Sequence, residues 1–529
     1  MELVKLTGVT LESASDQKVS GMTSSRPNIL VIQADQLAAK YLGAYGYPIA
    51  STPHIDSLAA SGAVFDSAYS NFPLCAPSRF SMMSGQLAST IGAYDNGAEF
   101  TSSTPTFAHY LRHLDYQTCL VGKMHFIGAD QLHGFEQRLT TDIYPGDFGW
   151  TGDWTEVRPK FGNDVVTFTD AGICKRNVQI EYDDEVCHRA GRKIYDLARG
   201  NDERPFMLFT SFTHPHDPFQ CRQQHWDRYR HDDVGLPEVN TAQADMDPYS
   251  LRLIAQYGLT GKPPSEEQIR VARHAYLGSI SYLDDCIGKL LAILDETGLS
   301  ANTVIVLTTD HGEMLGEHGL WYKKNFFEEA CRVPLIISHP QIDERRVPCN
   351  VSLVDLLPTL LDIADDSSQS SLVESVAGHS LWDLATASSS AWDHPVYAEN
   401  LAEGATTPLL MVKQGQLKYI YSAVDPHQLY DLACDPNERV NQIDNPEYSN
   451  ARSSLSALAD SHWDNETLTR DIIASQRRRI FLREALAKGK LHEWDYKPQD
   501  ELEQHCLRAD KVYSKWAYQN ILDYRFPEE

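Results

Sequence analysis

The chain has 529 residues, 42% of them hydrophobic and 22% charged. That is enough apolar material for a large core domain with a smaller one attached, without the bias of collagen, coiled coil or bulk disorder. Asp plus Glu at 73 against Lys plus Arg at 46 gives a net charge of −27, which opposes nucleic acid, anionic membrane or a large anionic polymer as a partner and suits a cationic ligand. Ten cysteines with no CxxC pair and no close clustering make neither a disulfide framework nor a zinc site.

Residues 1–25, ending in Thr23, Ser24 and Ser25, lack the basic start and continuous apolar stretch of a secretory signal. The longest apolar runs, such as Val304–Leu307 and Leu335–Ile337, are strand-sized rather than membrane-spanning. These features predict a flexible N-terminal extension on a cytoplasmic protein.

From residue 26 the pattern is that of an α/β core. Asn28-Ile-Leu-Val-Ile-Gln-Ala-Asp35 is an apolar run closed by a carboxylate, as in a buried parallel strand whose C-terminal end opens onto a site. Cys75-Ala76-Pro77-Ser78-Arg79 follows; a lone cysteine in a loop is more often inert than reactive, so its meaning depends on what surrounds it. Thr118-Cys-Leu-Val121 leads to Lys123 and His125, and Pro205–Phe212 leads to His214 and His216. Residues 217–262, rich in Asp, Gln, Arg and Pro without clear period, read as a surface excursion. Ser265 with Gln268 makes a capping box for a long amphipathic helix that runs to Gly298. Thr303–Thr309 then leads to Asp310 and His311. Ligand groups in open α/β sheets gather beyond the carboxyl ends of the strands, so four distant segments are predicted to converge on one cleft. Strand, helix, strand in that order predicts a large doubly wound mixed sheet flanked by helices, over residues 26–385. A Ser-rich stretch near 365–380 and alternation over Tyr397–Tyr430 predict a smaller C-terminal α+β domain with a tail, over 386–529. No internal repeat is visible.

The pentapeptide Cys75–Arg79 matches the Cys-x-Pro-Ser-Arg signature at which sulfatases have a cysteine oxidised to formylglycine. Asp35 and the run Thr309–Gly316 stand where that family places its metal ligands. Longer strings, among them Tyr94-Asp-Asn96, Asp130–Glu136, Leu139–Pro145, Asp147-Phe-Gly-Trp150 and Gly319–Glu328, resemble the choline sulfatases within it. The resemblance implies an alkaline phosphatase-like fold and a site around one divalent cation, Ca²⁺ first and Mg²⁺ or Mn²⁺ as alternatives, bound by Asp35, Cys75, Asp310 and His311. It makes Cys75, as formylglycine hydrate, the nucleophile with Arg79 beside it. Lys123 and Lys323 would grip sulfate, Asn96 and His216 would add hydrogen bonds to it, and His125 would be the base that eliminates it. Trp150 would face the trimethylammonium of choline, and Glu399 would balance its charge. His214 is expected to be structural and Lys324 a solvated surface lysine.

The implied reaction is hydrolysis of choline-O-sulfate to choline and sulfate. Also implied are maturation by a formylglycine-generating enzyme and a homo-oligomer, dimer or tetramer, in which an acidic residue from a neighbour's tail closes the pocket. Here Asp523 does not align clearly, and the stretch after Trp154 departs from the family. Alternative readings are a phosphonate monoester or phosphodiester hydrolase, a sulfatase for another small alkyl sulfate, and a noncatalytic binding protein whose Cys75 stays a thiol. The intact set of Asp35, Arg79, Asp310, His311 and Lys323 argues against the last.

Overall fold

The computed structural model describes residues 26–144, 146–155, 170–365, 372–388, 391–402 and 404–490. The expected extension over 1–25, residues 156–169 after Trp154, and the tail from 491 onward, with Asp523, lie outside the described residues.

Nine strands build the main sheet: β1 (Asn28–Ala34), β2 (Gly62–Tyr69), β3 (Gln117–Gly122), β4 (Gln137–Arg138), β5 (Phe206–Ser211), β6 (Thr303–Thr309), β7 (Arg332–Val333), β8 (Leu335–Ser338) and β9 (Arg345–Ser352). Their order is β9-β2-β8-β6-β1-β5-β3-β4, with β7 pairing on β2. The four strands expected from apolar runs are the central neighbours β6, β1, β5 and β3, all mutually parallel, with Val31 opposite Phe209 on one side and Val306 on the other. β8 runs antiparallel to both β6 and β2, which makes the sheet mixed.

Alternation along β1 divides the core into two layers. Leu30, Ile32 and Ala34 face the layer closed by the helices Val178–Arg199 and Glu266–Glu296. Ile29 and Val31 face the layer closed by the helices Cys75–Ser84, Phe107–His113 and Leu356–Ala364. A strand buried on both faces carries apolar residues on both, so these strands read as near-continuous runs rather than alternating ones, with polar exceptions such as Gln33 near their C-terminal ends. The helix Glu266–Glu296 starts at the expected box: Gln268 N–H donates to Ser265 Oγ (3.2 Å) and Ser265 N–H to Gln268 Oε1 (2.9 Å).

The expected surface excursion is a correction. Within 217–262, Tyr229, Val234, Tyr249, Leu253, Ile254, Tyr257 and Leu259 are buried in the main core. Its longest helix, Pro248–Gln256, has nine residues, too few to display a period, and the remaining apolar residues are spaced by loops. The segment also supports the site, since Tyr257 Oη donates to the Lys323 carbonyl (3.3 Å).

A second, antiparallel sheet follows in the order β10 (Val396–Asn400), β11 (Leu409–Gln414), β12 (Leu417–Ser422) and β13 (Gln428–Asp431). The helices Ser449–His462 and Asn465–Leu486 come after it. Among the described residues no helix is long and apolar enough to cross a membrane.

Candidate active site

Cys75 is the first residue of its helix, and Arg79 lies one turn on, so the two side chains share a face. The first turn is tied down from outside: Ala76 N–H donates to Asn96 Oδ1 (3.0 Å) and Ser78 Oγ to the Asp310 carbonyl (2.6 Å). The ends of β1 and β6 deliver Asp35 and the pair Asp310-His311 to the same point. One ligand atom from each of Asp35, Cys75, Asp310 and His311 lies within 4.8 Å of the others, and all four residues are buried.

This donor set fits a divalent cation. Two carboxylates and an imidazole beside the Cys75 sulfur offer mostly hard donors of the kind that suit Ca²⁺, Mg²⁺ or Mn²⁺. His311 is prepared for ligation: its Nδ1 donates to the Gly312 carbonyl (3.0 Å), which leaves the Nε2 lone pair directed at Cys75 Sγ (3.2 Å).

Below the cluster, the fully buried Arg79 guanidinium donates to Asp310 Oδ2 (2.8 Å), Asp35 Oδ2 (3.0 Å), Ser211 Oγ (2.8 Å) and the Lys123 carbonyl (2.7 Å). It therefore orients the metal-facing carboxylates. Lys123, at the end of β3, pairs with Asp35. Burial and the Cys75 sulfur raise the Asp35 carboxyl, but Lys123, His216 and Arg79 outweigh them and keep it ionised well below the usual carboxylate range. Burial likewise raises the Cys75 thiol, yet Lys123, Lys323, His311 and His125 together hold it well below its usual value. The point where Cys75 stands stabilises negative charge.

Around that point, Lys323 Nζ donates to His216 Nε2 (3.0 Å) and also bonds Gln36 Oε1. The other nitrogen of His216 meets the Asp217 carbonyl (2.6 Å) and Tyr144 Oη (3.1 Å). His125 has a positive φ of 66°, and its N–H donates to Asp142 (2.6 Å). Both its ring nitrogens are buried and bond no group other than the Cys75 thiol that the imidazole helps hold low, so the ring is placed to serve the group at position 75. Trp150 lies edge-on to His125 at 5.1 Å between ring centroids, with Tyr144 at 6.2 Å, making an aromatic wall beside the lysines. His214 is held from behind: its Nδ1 and N–H both bond Asp183 (2.6 and 2.9 Å).

Two expectations fail. Lys324 is not solvated: it is 2% exposed, with Nζ 6.0 Å from the Tyr257 ring centre, because the buried segment around Tyr249 and Tyr257 packs over it. Glu399 faces no open pocket. It points inward from β10, and its oxygens accept from Ser89 N–H (2.8 Å), Ser89 Oγ (2.5 Å) and Trp463 Nε1 (2.6 Å), so it ties the second sheet to the short helix Ala88–Ile91 and to the end of the helix Ser449–His462.

The sequence reading missed Gln36, Asp183, Asp217 and Glu313. Gln36 donates to Glu313 (2.5 Å) and Asp217 (3.2 Å) and receives the Lys323 ammonium. Glu313, pushed up to about 7 first by burial and then by Asp217, accepts the Leu315 and Tyr322 N–H groups. Gln36 and Glu313 adjoin the metal-facing residues in sequence, and that adjacency was the available signal; nothing marked Asp183.

Known proteins supply the family. The sulfatase family profile matches residues 27–366, the C-terminal profile of N-sulphoglucosamine sulphohydrolase matches 316–462, and the choline sulfatase enzyme C-terminal profile matches 470–523. A choline-sulfatase of Rhizobium meliloti is 41% identical over 92% of this chain and 96% of its own length. An uncharacterized sulfatase of Escherichia coli is 28% identical over 81% of this chain and 86% of its own. Among solved structures, a phosphonate monoester hydrolase of Agrobacterium radiobacter shares the fold with a TM-score of 0.66 at 22% identity, covering 82% of this chain and 95% of that one. Since the family profile spans most of the chain and a relative this similar spans nearly all of it, the chain belongs to the sulfatase family and is a sulfuric ester hydrolase.

Proposed function

We propose that the enzyme hydrolyses choline-O-sulfate to choline and sulfate, with Cys75 converted to formylglycine and one divalent cation, Ca²⁺ in the first instance, held by Asp35, residue 75, Asp310 and His311. The observation that carries the substrate is the aromatic wall. Trp150, with Tyr144 and His125, stands beside the sulfate-gripping lysines, and an aromatic face attracts a quaternary ammonium that cannot donate ordinary hydrogen bonds. The 41% identity to a choline-sulfatase and the net charge of −27 support the same alcohol.

The cation, when bound, polarises the sulfuryl oxygens and favours the ionised form of the attacking hydroxyl. Formylglycine hydrate supplies two hydroxyls on one carbon, one to attack sulfur and one whose deprotonation expels sulfate and restores the aldehyde. The remaining work falls to the chain's own side chains. Lys123 and Lys323 place fixed positive charge where charge accumulates on the sulfuryl oxygens, inside a site already free of reorganisation. His216, kept with Nε2 toward Lys323 by its Nδ1 partners, fixes the orientation of that ammonium. His125, buried beside residue 75, accepts the proton of the second hydroxyl. Arg79 holds the Asp35 and Asp310 carboxylates in place through its two ion pairs.

The test compares sulfate release from choline-O-sulfate, ethyl sulfate and 4-nitrophenyl sulfate with turnover of a phosphonate monoester, before and after dialysis against EDTA and Ca²⁺ readdition. Mass spectrometry of the Cys75 peptide should show loss of S and two H with gain of O. The choline ester should have the highest kcat/KM. Turnover of the phosphonate monoester without release from choline-O-sulfate would overturn the reading, as would full activity in Cys75→Ala.

A further inference from the structure

We propose that Arg479, on the helix Asn465–Leu486, is a positioning residue of the active site that locks the Asn96 turn and the Trp150 segment into one wall. The inference rests on the reading of Asn96 and Trp150 as substrate-facing. It adds a residue that no sequence motif of the site contains, 384 positions from its partner.

The geometry is a buried fork. Arg479 bonds both oxygens of Asp95, with Nη2 to Oδ2 at 2.9 Å, and its Nη1 reaches Thr151 Oγ1 at 3.1 Å. Nε is steadied by Ser475 Oγ one turn earlier (3.3 Å). One planar guanidinium thus joins the residue before Asn96 to the residue after Trp150. A lysine, with a single point of charge, cannot replace three fixed directions.

The two segments it joins already touch. A Cβ on Gly97 would fall 2.6 Å from the Thr151 nitrogen, and Gly97 N–H donates to Asp95 Oδ1 (2.9 Å). The same helix face adds a second tie, because Gln476, three residues before Arg479, accepts the Trp154 N–H (2.9 Å). From here two short paths lead to the chemistry. Asp95 sets the turn from which Asn96 accepts the Ala76 N–H next to Cys75, and Thr151 sets the backbone from which Trp150 meets His125. Without the fork, Asp95 is a buried carboxylate with no cation on it, and the two segments lose the side chain that bonds both.

Arg479→Lys, Arg479→Gln and the charge-balanced pair Arg479→Gln with Asp95→Asn separate positioning from folding. KM and kcat are measured on choline-O-sulfate and on 4-nitrophenyl sulfate well below each variant's Tm, together with hydrogen exchange of the peptides containing Ala76 and Thr151. Displacing a substrate-positioning group by even an ångström costs up to about a hundredfold. Arg479→Lys should therefore raise KM by about tenfold, more for the choline ester than for the aryl ester, and speed exchange at both peptides. The charge-balanced pair should recover stability without recovering KM. A loss of folded enzyme alone would lower apparent kcat and leave KM and the exchange of both peptides unchanged; that result would overturn the proposal. If the wild-type enzyme ignores choline-O-sulfate, the substrate reading fails, while the aryl ester still decides the role of Arg479.

Discussion

Gly122 ends β3 immediately before Lys123, and its replacement by alanine tests whether close strand contact places that lysine. Its φ is +109°, and a Cβ built on it would lie 1.8 Å from the Ser211 carbonyl oxygen, where ordinary contact begins near 3.4 Å. The obstacle is backbone in β5, which cannot rotate aside. Strands β3 and β5 must therefore separate by about 1.6 Å at this point. The conformation itself adds about 1–3 kcal/mol of strain for a residue with a side chain. The movement also acts on the Lys123 N–H, bonded to the same Ser211 oxygen at 3.1 Å, and on Ser211 Oγ, which holds Arg79. An ångström of displacement at such a group costs about a hundredfold in rate. Gly122→Ala should thus lose about two orders of magnitude in kcat/KM and at least about 2 kcal/mol in urea-induced unfolding. A variant within about twofold of wild type in kcat/KM would refute the view that this contact fixes Lys123.

Asp183→Asn puts an amide N–H₂ among three donors, the Thr213 and His214 N–H groups and His214 Nδ1. It should cost about 3 kcal/mol in denaturant unfolding and lower kcat through the His214–His216 loop. Lys418 pairs in the interior with Glu328 (2.6 Å) and Glu438 (2.8 Å), so Lys418→Met should cost about 3–5 kcal/mol, and adding Glu328→Gln and Glu438→Gln should restore most of it. Asp355 is pushed up to about 7 from 3.8 by burial, against hydrogen bonds from the His379 and Ser352 N–H groups. The folded state then holds its proton more tightly than the unfolded chain, so this residue makes stability fall as pH rises from about 4 to about 7 and adds no slope above that. Unfolding of wild type and Asp355→Asn across that range should show a flatter decline in the variant, by up to about 4 kcal/mol as an upper bound; parallel curves would contradict the assignment.

How much of this was legible follows from where each signal resides. β1, β3, β5 and β6 announce themselves because strands covered on both faces are apolar over most of their length and lead directly to Asp35, Lys123, His214 and Asp310. The helix Glu266–Glu296 is long enough to repeat its period, and its box is local. β2 and β9 interrupt their apolar residues with Asp66, Ser67, Arg346 and Asn350, so neither showed as a run, and β8 showed only as the short run Leu335–Ile337 without a site residue at its end. Lys324 and Glu399 were misread for a different reason: burial of a charged side chain is decided by segments far away in sequence, Tyr249 and Tyr257 for one and Ser89 and Trp463 for the other. Asp183 beneath His214 and Arg479 behind Asn96 belong to the same class. Their positions matter only once helices distant in sequence have docked.

The wide spacing of these partners also sets a clock. His311 follows Cys75 by 236 residues and Arg479 follows Asp95 by 384, so at about 5–20 residues per second a ribosome needs tens of seconds between making the two halves of the pocket. During that interval the Cys75 segment lacks Asp310, His311 and Lys323. Once both arrive, the side chain is 2% exposed beneath Lys123, Lys323 and His311. Any catalyst that must alter that cysteine has its opportunity while the chain is still being made, and slower translation downstream of Arg79 would lengthen it.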